Sequence, residues 1–407
     1  MNIAIINVLG KTKSTGKIAY GLHDYLKQCG HKSIVYYGRN DEGDDGRESD
    51  VVRISSDFDN FVHAGCARLF GNQGEYSIFA TKKLLRLLDV QKPDAVYLLN
   101  LHGYYLNFSM LFKYLKERNI KAIYMMLDEY PFLGKCAFAQ GCEHYRIGCG
   151  NCPKVREYPA SLILDRSHRL IRKKRAAYAG LDVVFVGVQY TVDQAKQSYL
   201  LKDAHFTVID EAVDLRKIYY PRETQELRER LGIPAENIIV VTVAPFSDPR
   251  KGGKYFLEAA RRLASRRDIT FVHVGFDGET ALCPKNYIAI PYVLDQNELA
   301  AYYSLGDLFV CTSLAETVAN TCLEALSCGT PILAFNVAGM PDCADAEHGT
   351  FVPAEDSIAL TETIGRVRKK SAETAASCRA YAESRYDSED YFKKLEQLLY
   401  QTVDGDT

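Results

Sequence analysis

Two glutamates, Glu316 and Glu324, lie eight positions apart in the segment ETVANTCLEALSCG. The segment follows the apolar run DLFVCTS and has helical spacing, so we expect a strand, a turn and a helix that starts near 317–321. The amides at the start of such a helix would bind a diphosphate, and Glu324 would accept hydrogen bonds from ribose hydroxyls. These amides belong to Val318, Ala319, Asn320 and Thr321. On spacing alone, two surface carboxylates are the simpler interpretation.

A second anion-binding pattern lies near the start of the chain, in NVLGKTKSTGKIAYGL. It is not a P-loop, because five residues instead of four separate Gly10 from Gly16, and Ile18 occupies the position of the magnesium-binding hydroxyl. The stretch predicts a strand, a turn and a helix whose N-terminus, at Ser14, Thr15 and Gly16, offers amides to an anion or hydroxyl above the sheet. A plain capped turn explains these residues equally well.

Four cysteines fall within CAFAQGCEHYRIGCGNCP, namely Cys136, Cys142, Cys149 and Cys152. Thiols this close in a reducing compartment suit tetrahedral zinc, and the two-residue gap in CGNC lets neighbouring sulfurs face one ion. Disulfides are the main alternative, and reduced thiols without a ligand are the other. We expect a structural zinc, because four protein ligands leave no open position for catalysis.

The bulk composition excludes some classes of partner. The net charge of −2 over 407 residues argues against a nucleic-acid-binding protein. The one basic run, RLIRKKR, is expected to be a solvated helix face, with anionic lipid headgroups as an alternative contact. The sequence contains neither a bilayer-spanning apolar segment nor a signal peptide pattern. We therefore expect a cytoplasmic protein, with peripheral contact at the inner face of the membrane as an option.

The elements that position these residues follow from a repeated alternation. Short apolar runs, from NIAIINV to TPILAFN, alternate with amphipathic segments, which predicts an α/β protein with parallel sheets. The charged, proline-containing stretch after Val213 has the composition of a linker. The pattern predicts two doubly wound halves that bind ligands at the carboxyl ends of their strands.

The segment ETVANTCLEALSCGTPILA resembles the E-x7-E signature of the retaining GT-B glycosyltransferases, in particular glycosyltransferase family 4. The likeness continues in YIAIPYVLDQNELAAYYSLGDLFVCTS, VAGMPDCADAEHGTFVPAEDSIAL, APFSDPRKGGKYFLEAARRL and VIDEAVDLRKIYYP. In the first half, STGKI, PDAVYLLNLHGYYLN and CGNCP resemble bacterial exopolysaccharide enzymes of the colanic-acid type. Together these segments extend essentially from end to end of the chain.

The resemblance implies a GT-B fold of two Rossmann-like domains facing a cleft, 1–213 for the acceptor and 214–386 for the nucleotide sugar. It also implies a helix over about 387–403 that packs back on the first domain and buries Tyr391, Phe392, Leu395, Leu398 and Leu399. The implied reaction moves a sugar, with retention, from a UDP- or GDP-sugar to a glycan or lipid-linked acceptor in surface polysaccharide biosynthesis. No catalytic metal is expected.

Position by position, Lys251 resembles the residue that neutralises the leaving diphosphate. Glu324 corresponds to the ribose-binding carboxylate, and Glu316 to the carboxylate beside the donor sugar hydroxyls. Around the acceptor, the resemblance implies a cleft lined by Ser14, Thr15, Gly16 and Asp128, with His102 at its edge. His102 either contacts substrate or is a turn histidine that packs on Tyr104.

Several positions depart from the family pattern. Phe246 stands where an arginine is usual, and Arg250 is the candidate replacement for the lost charge. Ala319 replaces a usual glycine, which is tolerable only without a positive φ. Leu99 and Leu127 replace histidines. These departures motivate the rival hypothesis of a catalytically inactive GT-B fold that acts as a binding or scaffold protein.

Overall fold

The computed structural model describes residues 1–39 and 48–405. The chain forms two compact units, the first of Met1–Ile209 with Phe392–Thr407 and the second of Asp210–Tyr391. Each unit contains one parallel sheet with helices packed on it. The predicted α/β class with parallel sheets is therefore confirmed.

The sheet of unit 1 has seven parallel strands. They are β1 (Asn2–Asn7), β2 (Lys32–Tyr37), β3 (Val51–Arg53), β4 (Ala95–Leu98), β5 (Lys121–Met125), β6 (Val183–Gly187) and β7 (His205–Val208). The helices between them are α1 (Lys13–Gln28), α2 (Asp57–Phe70), α3 (Ile78–Gln91), α4 (Phe108–Glu117), α5 (Ser167–Tyr178) and α6 (Gln189–Lys196). Residues 3–6 of β1 are fully buried, because helices cover both faces of a parallel sheet. For the same reason the strands of such a sheet are continuous apolar runs in the sequence.

The sheet of unit 2 has six parallel strands. They are β8 (Ile238–Val243), β9 (Ile269–Val274), β10 (Tyr287–Ile290), β11 (Leu308–Cys311), β12 (Ile332–Asn336) and β13 (Gly349–Pro353). The accompanying helices are α7 (Gln225–Arg230), α8 (Gly253–Arg262), α9 (Gln296–Leu305), α10 (Asn320–Ser327), α11 (Ser357–Gly365) and α12 (Ala372–Arg385). Helix α13 (Ser388–Asp404) follows, and most of it belongs to unit 1.

Strand order places one topological switch point in each unit. Unit 1 runs β3-β2-β1-β4-β5-β6-β7, and unit 2 runs β10-β9-β8-β11-β12-β13. The chain reverses its direction of winding between β1 and β4, and again between β8 and β11. Loops that leave neighbouring strands at such a point diverge and open a crevice for a ligand. The loops after β4, β8 and β11 contain six of the residues that the sequence singles out, namely His102, Arg250, Lys251, Glu316, Val318 and Ala319.

Helix α13 is shared between the two units, and its residues from Phe392 onwards belong to unit 1. There the Tyr97 hydroxyl donates to the Leu395 carbonyl at 2.8 Å. The Phe392 ring packs on Gly21 so closely that a Cβ on that glycine would lie 2.7 Å from it. Leu395, Leu398 and Leu399 are buried. No helix within the described ranges is both long and apolar enough to cross a membrane.

Candidate functional site

Lys251 and Glu316 form an ion pair at the switch point of unit 2. Lys251 lies in the loop after β8 and Glu316 in the loop after β11, and these two strands are neighbours. The Lys251 ammonium donates to Glu316 Oε1. Burial disfavours the ammonium, but the Glu316 carboxylate outweighs this effect, so the pKa of Lys251 is raised. Lys251 therefore stays cationic at neutral pH.

A close backbone approach holds the two loops together. Gly252 has φ 66°, and a Cβ there would lie 2.1 Å from the Thr312 carbonyl oxygen. The Thr312 hydroxyl in turn donates to the carbonyls of Lys251 at 3.1 Å and Gly252 at 3.0 Å. Only glycine permits both the positive φ and the contact. The glycine after Lys251 thus fixes the lysine against the β11 loop.

Two positions explain how the loop after β8 departs from the family pattern. Arg250 pairs with Asp248 on its own turn at 2.7 Å, and its side chain is half-exposed. Phe246 lies in an aromatic cluster, with its ring centroid 4.8 Å from that of Phe276. A Cβ on Gly278 would lie 2.6 Å from the Phe246 ring, so the glycine makes room for it. At position 246 the expected cation is replaced by apolar packing.

Glu324, on α10, is held by two buried tyrosines. The Tyr303 hydroxyl donates to Glu324 Oε2 at 2.5 Å. The hydroxyl of Tyr219 also hydrogen-bonds to Glu324. Burial, followed by the charge of Glu324, raises the pKa of both phenols, so they remain protonated donors. The carboxylate is therefore fixed in orientation as a hydrogen-bond acceptor.

Helix α10 begins at Asn320, within the predicted range, so Val318 and Ala319 precede its first turn, and a contact of their amides with a diphosphate stays a prediction. Ala319 has φ −90°, and the alanine is accommodated without strain. The first amides of a helix, here those of Asn320 and Thr321, have no partner inside it. Asn320 Oδ1 is buried, and no hydrogen-bond partner for it exists among the described residues. A buried orphan acceptor at this position would be satisfied by a ligand hydroxyl or amine.

Glu211, which the sequence analysis did not single out, interacts electrostatically with Glu316. Burial, and after it the nearby charge of Glu316, raises the pKa of Glu211 to about 8. Its own charge contributes to the raised pKa of Tyr391. The Glu211 carboxyl is therefore predominantly protonated at neutral pH. A signal existed in the segment VIDEAVDL, where Glu211 stands at the asparagine of the family pattern IPNGVD.

In unit 1, His102 and Asp128 form a pair at the ends of β4 and β5. His102 Nε2 lies 2.6 Å from Asp128 Oδ2, and His102 Nδ1 lies 3.2 Å from the Tyr158 hydroxyl. The Tyr130 amide donates to Asp128 Oδ1 at 2.9 Å. The carboxylate thus orients the imidazole, as in sites where histidine binds or moves a proton. The pairing places His102 against Asp128, Tyr158 and the ring of Tyr130.

Two buried lysines shape the long connection that follows β5. Lys174 donates to the Leu133 carbonyl at 2.9 Å and lies 3.2 Å from the centroid of the Tyr130 ring. Its burial lowers its pKa to about 7. Lys135 donates to the carbonyls of Val155 at 3.0 Å and Pro159 at 2.8 Å. The prediction that the RLIRKKR run is a solvated face is therefore wrong at Lys174, which anchors the loop beside Asp128.

Residues 237–370, which contain β8 to α11, match the family described as Glycosyl transferases group 1. The chain carries a group 1 glycosyltransferase domain. Lys251, Glu316, Glu324 and Asn320 all lie within this group 1 domain, whereas Glu211 precedes it.

The full chain is similar to glycosyltransferases in sequence and in fold. It is 24% identical over 378 residues to WcaC, a colanic acid biosynthesis glycosyl transferase of Escherichia coli. The alignment covers 89% of this chain and 90% of the relative. Sucrose-phosphate synthase from Thermosynechococcus elongatus superposes with a TM-score of 0.71 at 16% identity, over 99% of both chains. HepE of Anabaena, solved in complex with UDP, superposes with a TM-score of 0.69 at 17% identity, over 98% of this chain and 100% of its own. The glycosyltransferase fold is GT-B, as the resemblance implied.

The predicted acceptor residues at the start of α1 follow β1, on the other side of the unit 1 switch point. The helix begins at Lys13, with Ser14 exposed. Gly16 is buried, and a Cβ there would lie 3.0 Å from the Lys11 carbonyl carbon. This glycine therefore lets the β1–α1 turn fold tightly over the first helical turn. A contact of Ser14 or Thr15 with substrate stays a prediction.

The four predicted zinc ligands, Cys136, Cys142, Cys149 and Cys152, line one small cavity in the connection after β5. Within the part of the chain that the structure describes, no group of three or more His, Cys, Asp or Glu residues is arranged to hold a metal. Cys136 keeps its proton in a hydrogen bond to Cys152, which raises the pKa of Cys136 and lowers that of Cys152. Zinc would require thiolates aimed at one point. All twelve cysteines are free, so they form no disulfide, and the structure does not support the predicted zinc.

Proposed function

We propose that the protein is a retaining family 4 glycosyltransferase that moves a sugar from a UDP- or GDP-sugar to a glycan or lipid-linked acceptor. The observation that carries this proposal is the Lys251–Glu316 ion pair at the switch point of the group 1 domain. The similarity to a colanic acid enzyme supports a role in surface polysaccharide synthesis. A protein with this role acts in the cytoplasm, at the inner face of the membrane.

In the proposed donor site each residue has a separate task. Lys251 stabilises the negative charge that develops on the diphosphate as the bond to the anomeric carbon breaks. Glu316 holds Lys251 in place and accepts hydrogen bonds from the donor sugar. Glu324, held by its two tyrosines, accepts from the ribose hydroxyls. The amides of Asn320 and Thr321 donate to the diphosphate, where the positive end of the α10 dipole favours an anion.

The His102–Asp128 pair provides the proposed acceptor contact in unit 1. In a retaining reaction at the front face, the leaving phosphate takes the proton of the acceptor hydroxyl. His102 then has only to bind and orient that hydroxyl. An imidazole backed by a carboxylate can also act as a general base, which is the arrangement that an inverting reaction needs. The configuration of the product distinguishes the two.

The proposed function is tested with a panel of nucleotide sugars. A donor present at a hundred times its Kd should stabilise the protein by about 2.7 kcal/mol, which a thermal shift detects. The donor that stabilises should then be hydrolysed or transferred, and proton NMR of the product should show the anomeric configuration of the donor. An inverted product would overturn the retaining assignment.

The rival is a catalytically inactive GT-B fold that acts as a binding or scaffold protein. The observation in its favour is Phe246, which packs apolar surface where the family pattern places a cation. Thermal stabilisation by a donor, with neither hydrolysis nor transfer to any acceptor, would favour this rival.

A further inference from the structure

Helix α2 of unit 1 exposes an apolar face. Phe58 is 77% exposed and Phe61 76%, and Val62 and Leu69 follow on the same side at helical spacing. The opposite side of the helix packs inward through His63 and Ala67, which are buried. The helix therefore already has a core-facing side, and its large outward side chains are not needed to attach it to the unit.

A neighbouring chain segment exposes two further apolar side chains beside the end of α2. The Leu162 amide donates to the Arg68 carbonyl at 2.7 Å, which places residues 162 and 163 beside the end of α2. Leu162 and Ile163 are 57% and 68% exposed. We call the combined set the α2 apolar surface; it consists of Phe58, Phe61, Val62, Leu69, Leu162 and Ile163. A cluster of large exposed side chains of this kind marks an interaction site, whereas single exposed ones are ordinary.

Cations adjoin the α2 apolar surface at one end. Arg68 is exposed on α2 itself. The Arg166 side chain approaches Gly71, just past the end of α2, so closely that a Cβ on the glycine would lie 3.2 Å from Arg166 Cγ. Helix α5 starts at the next residue and exposes Arg169 and Arg172. Apolar side chains that penetrate the headgroup layer, together with arginines that bind phosphate, are the combination that favours an anionic membrane.

We propose that the α2 apolar surface docks the protein on a bilayer that contains anionic lipids. A second copy of the chain is a poorer occupant, because a two-fold interface is self-complementary and would bring the same arginines together from both copies. Docking would give the enzyme access to a lipid-linked acceptor. In this respect the proposal rests on the proposed function. Membrane binding itself requires neither donor nor acceptor and is measured separately.

The test is co-sedimentation of the full chain with vesicles of phosphatidylcholine, with or without phosphatidylglycerol. Wild type should bind only when phosphatidylglycerol is present. The variant Phe58→Ser with Phe61→Ser should lower the partition coefficient about tenfold or more, because two apolar side chains no longer insert. Arg169→Gln with Arg172→Gln should lower it as well and should weaken its dependence on salt.

A matched control lies in unit 2, where Tyr292 and Leu294 are 75% and 82% exposed. The variant Tyr292→Ser with Leu294→Ser should bind vesicles like wild type. The proposal is overturned if phosphatidylglycerol does not increase the binding of wild type, or if the phenylalanine variant binds like wild type. It is equally overturned if the unit 2 control variant binds as weakly as the phenylalanine variant. It is also overturned if light scattering shows a dimer that the phenylalanine variant abolishes. Intact vesicle binding without sugar transfer would refute the proposed function and leave the docking surface standing.

Discussion

Lys251 and Glu316 are bonded to each other across 65 positions of sequence. They meet because β8 and β11 are neighbours in the sheet, although two strands and two helices separate them along the chain. Removal of either partner leaves a largely buried charge alone, so the pair is best tested with substitutions on both sides.

Lys251→Ala should lower turnover by about a hundredfold or more, because the lysine acts on charge that develops only in the transition state. Glu316→Gln should lower turnover as well and should leave Lys251 without its anionic partner. Donor turnover and the thermal midpoint are measured for both variants. If Lys251→Ala lowers only the midpoint and turnover survives, the lysine has a structural role.

Glu324→Gln should weaken binding of the free nucleoside diphosphate by about 1–3 kcal/mol, because a ribose hydroxyl pair loses its charged acceptor. Tyr303→Phe should weaken it less, because the carboxylate remains and loses only one of its two orienting donors. Glu362→Gln is the control, since Glu362 is exposed on α11 and pairs with Arg366 one turn on. Titration calorimetry with UDP and GDP measures the affinity of wild type and of the three variants. Equal affinity for wild type and Glu324→Gln would refute the role of Glu324 in ribose binding.

His102→Asn and Asp128→Asn should each lower kcat/KM for the acceptor and leave the affinity for free nucleotide unchanged. Residues that act as a unit are not additive, so the double variant should be no worse than the more damaging single one. Asn at 128 retains an acceptor for the Tyr130 amide and limits structural damage. Additive losses, or a loss of nucleotide affinity, would contradict an acceptor role for the pair.

Glu211→Gln should change the pH dependence of stability. The pKa of Glu211 is raised to about 8 in the folded protein, whereas an unfolded glutamate titrates near 4.3. The folded state thus binds more protons than the unfolded state between these values, and stability falls as pH rises through that window, by up to about 1.4 kcal/mol per pH unit. A neutral glutamine does not titrate, so the contribution of this position to the fall in stability with pH disappears.

The expected result is a free energy of unfolding that falls less steeply from pH 5 to 8 in Glu211→Gln than in wild type, as urea denaturation would show. Glu236→Gln, at an exposed position, is the control and should follow wild type. A slope in Glu211→Gln equal to that of wild type would mean that Glu211 is ionised in the folded protein at neutral pH.

The sequence by itself determined the class of fold. Buried strands in a parallel sheet are short apolar runs, and covering helices are amphipathic, so the alternation is visible without any tertiary contact. The segment around Glu316 and Glu324 placed both carboxylates beside a helix start, and α10 begins within the predicted range. These features are local, and local spacing is what a single sequence records.

The tertiary structure decided which side chains meet. The pairing of His102 with Asp128, and the closeness of Glu211 to Glu316, depend on which strands are neighbours and where the loops after them lead. The cysteine spacing suited zinc, but metal binding needs sulfurs aimed at one point, and that depends on how the loop folds around Lys135 and Lys174. Burial likewise separates Lys174 from the exposed arginines of the same basic run, because one side of α5 faces the core.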